Sequence, residues 1–97
     1  MENFQITYHP LIKKIDIPRL GPITKKVGSV IYEKLSVNPL LYGKPLHSPL
    51  KNFRKLRIGD YRVVYHLVKY EVRVLVIAHR KEVYEIAKKR LKYNLLK

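Results

Sequence analysis

The chain has no cysteine. That excludes disulfide scaffolds and thiolate metal sites, and it fits a reducing, cytoplasmic setting. Acidic side chains are scarce as well, seven Asp and Glu among 97 residues. With so few, no carboxylate cluster of the kind that holds magnesium or zinc can be picked out, and neither a metal nor another cofactor is expected. Long apolar runs are also missing. The longest, VLVIA from Val74 to Ala78, falls far short of the roughly 20 residues that span a bilayer. The first residues do not show the charged, apolar and small-residue succession of a signal peptide, and no repeat or low-complexity tract is present.

What the chain does hold is apolar residues, 46% of the total, which favours a folded globule over disorder. Its length predicts one domain, residues 1–97, with a single modest core. It also holds a large positive excess. The net charge is +14, and it is uneven: residues 1–50 carry seven Lys/Arg against three Asp/Glu, residues 51–97 carry fourteen against four. A basic surface of this size favours a polyanionic partner, whether nucleic acid, an anionic membrane surface or an acidic protein. Lysine enrichment alone can also reflect growth at high temperature.

Periodicity places the elements. Phe4–Tyr8 (FQITY) alternates as a short strand. Pro10 suits the first turn of a helix with Leu11, Ile12 and Ile15 on one face, ended by Pro18 and then Gly21-Pro22. A second helix is predicted from Pro22, with Ile23, Val27, Val30, Ile31 and Leu35 in phase. Residues 38–52 hold three prolines and a glycine and read as a connecting segment with one helical turn at Leu40-Leu41. Strands at Phe53–Ile58 and Tyr61–Val68 flank Gly59-Asp60, a two-residue hairpin signal. Val72–His79 is a third strand. A helical period returns from Lys81, with Tyr84, Ala87, Leu91 and Leu95 on one face. The order β-α-α-β-β-β-α predicts an α+β fold, a small antiparallel sheet covered on one face by the two N-terminal helices.

The strand period of two then sorts the faces. Leu56, Ile58, Tyr61, Val63, Tyr65, Leu67, Val72, Val74, Val76 and Ala78 are predicted to point toward the helices. The other face collects Lys55, Arg57, Arg62, His66, Arg73 and His79, with Val64, Leu75 and Ile77 between them. Only the C-terminal helix is left to cross that face. Arg54 has the apolar parity but opens its strand, where it can turn outward. Arg80 follows the last strand, where parity no longer constrains it. Arginines and histidines over an apolar floor suit a ligand surface better than solvated lysines would.

Arginine offers phosphate a planar, bidentate fork, and Tyr84 is placed to stack on a base. Such a surface can also cut RNA. The 2′-OH is the nucleophile, and fixed cations stabilise the pentavalent phosphate without a metal. His79 is a candidate general acid or base, and equally a group that holds the strand end by bonding to backbone. His47 and His66 read as structural or exposed.

These segments, KLRIGDYRVVY (Lys55–Tyr65) and AHRKEVY (Ala78–Tyr84) above all, resemble the RelE/ParE toxin superfamily of toxin–antitoxin systems. Upstream, YHPLIKKI and NPLLYGKPLHSPLKNF resemble its first helix and the loop before its sheet. The resemblance spans roughly residues 6–91. It implies a microbial-RNase-like fold and, for the RelE branch, a ribosome-dependent, metal-independent endoribonuclease that cuts mRNA in the ribosomal A site. On that reading Lys55, Arg62, Arg80 and Tyr84 match the family's site; with His79, a candidate by its own chemistry, they form the expected catalytic set, and Arg54, Arg57 and Arg73 of the basic face are expected to bind RNA. The implied partners are a cognate acidic antitoxin of the RelB kind, the ribosome and its mRNA, with no membrane. Three features depart from the family pattern: Phe53 stands where one lysine of a basic pair would be, the segment between the last strand and E-V-Y is shorter, so that Arg80 has two possible counterparts, and PLHSPL offers no glutamate as the general base of the YoeB branch. The alternatives implied are a non-enzymatic DNA gyrase inhibitor resembling ParE, and an inactive toxin-like binding protein.

Overall fold

The Gly59-Asp60 turn forms as the pattern predicts. Ile58 pairs with Tyr61 across two residues, and Gly59 takes the positive φ of 59° that a tight hairpin asks of its first loop residue. In the computed structural model, which describes residues 3–96, this hairpin is the middle of a five-stranded sheet ordered β1-β5-β4-β3-β2. The strands are β1 (Gln5–Tyr8), β2 (Lys44–Pro45), β3 (Arg54–Ile58), β4 (Tyr61–Val68) and β5 (Glu71–His79). The three long strands are antiparallel, β2 joins β3 antiparallel, and β1 runs parallel to β5. The sheet is therefore mixed at one edge, because the first helices carry the chain away from β1 and it re-enters at the opposite edge, with three strands between. The β4–β5 turn needs no glycine: Lys69 itself takes a φ of 57°.

Helices surround the sheet. A π-helical turn (Ile12–Asp16) continues as α1 (Ile17–Leu20), a 3-10 turn (Gly21–Ile23) leads into α2 (Thr24–Leu35), α3 (Pro39–Tyr42) is a single turn, and α4 (Val83–Leu96) closes the chain. Pro18 does not end the first helix. Ile17 N–H bonds to Ile12 O, a widened turn just ahead of the proline. Such a π turn eases the clash and the missing donor that proline brings to an α-helix. The buried stripe of this helix is Ile12, Asp16 and Leu20, while Ile15, expected inside, is exposed.

Two cores result. Ile12, Leu20, Val27, Ile31 and Leu35 pack on Leu56, Val63, Tyr65, Val72, Val74 and Ile77. On the opposite face, Val83 and Ala87 of α4 pack with Leu50 and Phe53 on Val64, Leu75 and Val76. The predicted parity of β5 thus fails beyond Val74. Val64 pairs with Val76 but Tyr65 pairs with Val74, so Leu75 is an extra residue, a β-bulge that reverses which way later side chains point. Val76 and Ala78 turn to the α4 side, Ile77 to the helix-covered side. Leu95, expected on the buried face of α4, lies outside the residues whose side chains are described. Among the described residues no helix is long and apolar enough to cross a membrane.

Candidate nucleic-acid interface

Directly opposed residues of an antiparallel pair share a face. Arg57 opposes Arg62 and Lys44 opposes Lys55, all on the side away from α1 and α2. Like charges set opposite each other destabilise a sheet by roughly 0.2–1 kcal/mol per pair. Here two such pairs lie side by side, since Lys55 and Arg57 are two apart on β3. The α4 helix covers the neighbouring apolar floor of Val64, Leu75 and Val76 and leaves this end of the sheet open.

Tyr84, in the first turn of α4 and partly buried against that floor, borders the group. Its ring centroid lies 5.8 Å from Lys55 Nζ, within cation–π range. Arg62 turns toward its own hairpin, and Nη1 donates to Gly59 O and Tyr61 O, each at 2.9 Å. That fixes the guanidinium at the turn while both bonds use one nitrogen of the fork. Arg80 reaches the same turn from β5. Its N–H donates to Asp60 O at 2.8 Å, and its guanidinium stands 4.0 Å from the Asp60 carboxylate, both side chains exposed. An exposed pair at that distance is weak and exchangeable. Lys55, Arg57, Arg62, Arg80 and Tyr84 are thus brought to one end of the sheet, and Lys44 joins them. Lys44 lies in the segment expected to be a connection. Its register against Lys55 comes from a two-residue strand that periodicity cannot reveal.

Three sequence candidates stand apart. His79 follows the bulge and so faces the helix-covered side, its ring 5.7 Å from that of Tyr61 in an edge arrangement, with Nδ1 accepting from Lys81 N–H at 3.2 Å. Arg54 turns to backbone, and Nη1 donates to Gly43 O at 2.7 Å and to Leu40 O at 3.4 Å. Arg73 lies near the far end of β5, opposite His66 and Thr7, with Nε 3.2 Å from Glu71. The Thr7 hydroxyl, which donates at 2.7 Å, and then Arg73 hold Glu71 below the usual carboxylate range. His66 stacks on Phe53 with centroids 4.5 Å apart. Burial, and next the adjacent Arg73, push its imidazole below the ordinary histidine value, so the neutral ring prevails near pH 7. Phe53 is a floor residue under α4.

Sequence reasoning also missed a buried ion pair that seats the wall of this site. Arg90 of α4 donates to both carboxylate oxygens of Asp16, Nη1 to Oδ2 at 2.8 Å and Nη2 to Oδ1 at 2.6 Å, and to Leu75 O at 3.1 Å. Asp16 Oδ2 also accepts Ile77 N–H at 2.9 Å. These groups complete the edge of β5 beyond the end of β1. The available signal was a carboxylate on the apolar stripe, four residues from both Ile12 and Leu20. Among the described residues no three His, Cys, Asp or Glu side chains gather as a metal site would need.

A model of the ParE toxin of type II toxin–antitoxin systems (parDE) matches residues 22–84. Among solved structures, the RelBE2 toxin–antitoxin complex of Mycobacterium tuberculosis aligns at 28% identity with a TM-score of 0.74, covering 80% of this chain and 99% of that one. The isolated RelE toxin of E. coli aligns at 23% identity and TM-score 0.62, covering 91% and 98%. YafQ of E. coli aligns at 19% and 0.60, covering 84% and 98%. Comparison with curated protein sequences gives no match.

Proposed function

The chain belongs to the ParE toxin family of type II toxin–antitoxin systems, and we propose that it acts as a ribosome-dependent, metal-independent endoribonuclease that cleaves mRNA by attack of the RNA's own 2′-OH. The observation that carries this reading is the pair of opposed cations, Lys44 with Lys55 and Arg57 with Arg62, bordered by the Tyr84 ring. A polyanion relieves that repulsion, and a ring at its margin offers a base something to stack on, worth roughly 1–3 kcal/mol.

In this proposal Lys55, Arg62 and Arg80 surround the scissile phosphate. Arg62, anchored at the hairpin turn, needs little reorganisation to meet charge as it develops on the phosphorane oxygens, which is how preorganised donors accelerate a reaction. Arg57 takes the adjacent phosphate, and Tyr84 fixes the neighbouring base so that the 2′-OH lies in line with the leaving 5′-oxygen. DNA, which lacks the 2′-OH, is a poor substrate. His79 stands on the other face and takes no part. The restraining partner is an antitoxin with an acidic surface, whose association slows as salt screens the steering.

The test is purified protein with programmed ribosomes, the mRNA ends mapped and their chemistry identified. Products with a 5′-hydroxyl and a 2′,3′-cyclic or 3′-phosphate are expected; 5′-phosphates would exclude the mechanism. The matching family model is that of ParE, which favours one other reading, protein-mediated inhibition of DNA gyrase. A supercoiling assay run in parallel separates them, since blocked supercoiling with intact mRNA selects the second.

A further inference from the structure

The corner between α2 and the sheet has a pinned backbone and exposed apolar side chains. Tyr65 Oη, from the core, donates to Pro39 O at 2.5 Å. Arg54 holds Gly43 O and Leu40 O. Gly43 sits so close on the Tyr65 hydroxyl that a Cβ there would stand 1.7 Å from the oxygen. Asn38 O accepts the N–H groups of Leu41 and Tyr42 at 3.1 and 3.2 Å. Lys34 Nζ lies 5.2 Å from the Tyr42 ring centroid. Yet Leu40, Leu41 and Tyr42 are 60%, 71% and 44% exposed. Ordering a loop costs conformational entropy, and fixing it with three consecutive large apolar side chains in water gains the isolated chain nothing. A preordered apolar surface does lower the cost of binding a partner.

We infer that α3 is a docking surface for a protein segment that is acidic and presents large apolar anchors, and that this segment belongs to the antitoxin. The occupant follows from the surroundings. Lys34 beside Tyr42 and the exposed Lys44 just past Gly43 suit carboxylates flanking an apolar contact. A second copy of this chain is opposed by a net charge of +14 on each molecule. Two leucines offer nothing to a phosphate backbone, so RNA is a poor fit. The inference rests on family membership and not on mRNA cleavage.

The experiment titrates the antitoxin encoded beside this chain against full-length wild type, Leu40→Ser, Leu41→Ser, the double variant, and Tyr70→Ser as a control. Tyr70, 71% exposed, sits in the β4–β5 turn. Each leucine variant should bind about tenfold or more weakly and the double variant about a hundredfold, by loss of buried apolar area. Melting temperature should hold, and Tyr70→Ser should bind as wild type does. Unchanged antitoxin affinity in the double variant overturns the proposal, as does weakening by Tyr70→Ser to the same extent. If the double variant keeps its antitoxin affinity but loses action on ribosomes or gyrase, α3 serves the target and the proposal is again wrong. Weakened antitoxin binding in a protein whose wild type leaves mRNA intact supports α3 docking while refuting cleavage.

Discussion

Replacing Arg90 by methionine tests whether α4 is seated by its ion pair or by its apolar face alone. The side chains of Arg90 and Asp16 are 4% and 2% exposed, so neither charge has water to fall back on. Arg90→Met keeps an unbranched stem of similar reach but leaves the Asp16 carboxylate buried with only Ile77 N–H to bond, and it removes the guanidinium from Leu75 O. Breaking a buried pair from one side costs about 3–5 kcal/mol, and the orphaned carbonyl adds about 1 kcal/mol. A chain of this length is stable by only about 5–15 kcal/mol. At roughly 4–8 °C per kcal/mol for a domain near 100 residues, Tm should fall by at least about 16 °C in a calorimetric or circular-dichroism melt. The double variant Asp16→Asn/Arg90→Met leaves no buried charge and keeps an amide oxygen for Ile77 N–H. It should be more stable than the two single losses predict, by about 1–3 kcal/mol. In Arg90→Met the Ile77 amide should also exchange faster with solvent. A Tm within about 3 °C of wild type, or strictly additive losses, would refute the reasoning and leave the apolar contacts of Val83 and Ala87 to seat the helix.

Tyr65→Phe should cost about 1–2 kcal/mol by stranding the buried Pro39 carbonyl, and it should alter the alkaline limb of stability. Burial pushes the Tyr65 hydroxyl up to about 12, against a smaller lowering by Arg54. The fold therefore prefers the protonated form, and that contribution is whole below the ordinary value near 10 and lost as pH rises through about 12; a pH series of melts should show this loss in wild type and not in Tyr65→Phe. Gly43→Ala should lower stability by about 1–3 kcal/mol in denaturant titrations, since its Cβ meets the Tyr65 hydroxyl, and an unchanged midpoint would show that the corner yields freely. Arg62→Ala should slow single-turnover cleavage of ribosome-bound mRNA by about 10²–10³ at a cost of no more than about 1 kcal/mol for two exposed-side backbone bonds, with Arg62→Lys a partial rescue; cutting at the wild-type rate would remove Arg62 from the site. Arg57→Thr should raise stability by roughly 0.2–1 kcal/mol, because it ends the repulsion with Arg62, while weakening RNA binding in a filter or anisotropy assay.

The elements legible in the sequence were those whose cause is local. Gly59-Asp60 between two alternating runs specifies a hairpin by itself, and the α2 stripe of Val27, Ile31 and Leu35 specifies a helix with one dry face. The α3 turn at Leu40-Leu41 was legible from the proline that opens it. What stayed hidden depends on residues far apart in the chain. No valine in VRVLVIA announces that Leu75 will be the bulged one, because the bulge is a mismatch between two strands. That single residue moved His79 from the basic face to the Tyr61 side. The parallel docking of β1 on β5 and the Asp16–Arg90 pair are likewise consequences of packing across 61 to 74 residues of chain. The cations of β3 and β4 were placed correctly because the extra residue lies in β5 and leaves the alternation of those two strands intact, and the seating of Tyr84 was out of reach of any window of sequence.

The cations on and around the sheet fall into two groups, and the division bears on how a toxin can be both stable and restrainable. Arg54 is spent on carbonyls of the α3 corner, Arg73 on Glu71 and Arg90 on Asp16. These hold the scaffold, and Arg90 in doing so seats α4 and with it the Tyr84 wall. Among the described residues the opposed pairs at the hairpin end make no ion pair, and the neighbouring Arg80 has only the exposed Asp60 carboxylate at 4.0 Å. A functional surface of this kind lowers the stability of the free protein, and any polyanion that binds only the folded chain raises it by mass action. Under the proposed function, an mRNA phosphate backbone and an acidic antitoxin segment would compete for the same electrostatic relief. The antitoxin can win if it also gains apolar contacts that RNA cannot make, and the exposed leucines of the pinned α3 corner, joined to the hairpin end through Lys44 opposite Lys55, are where the fold offers them.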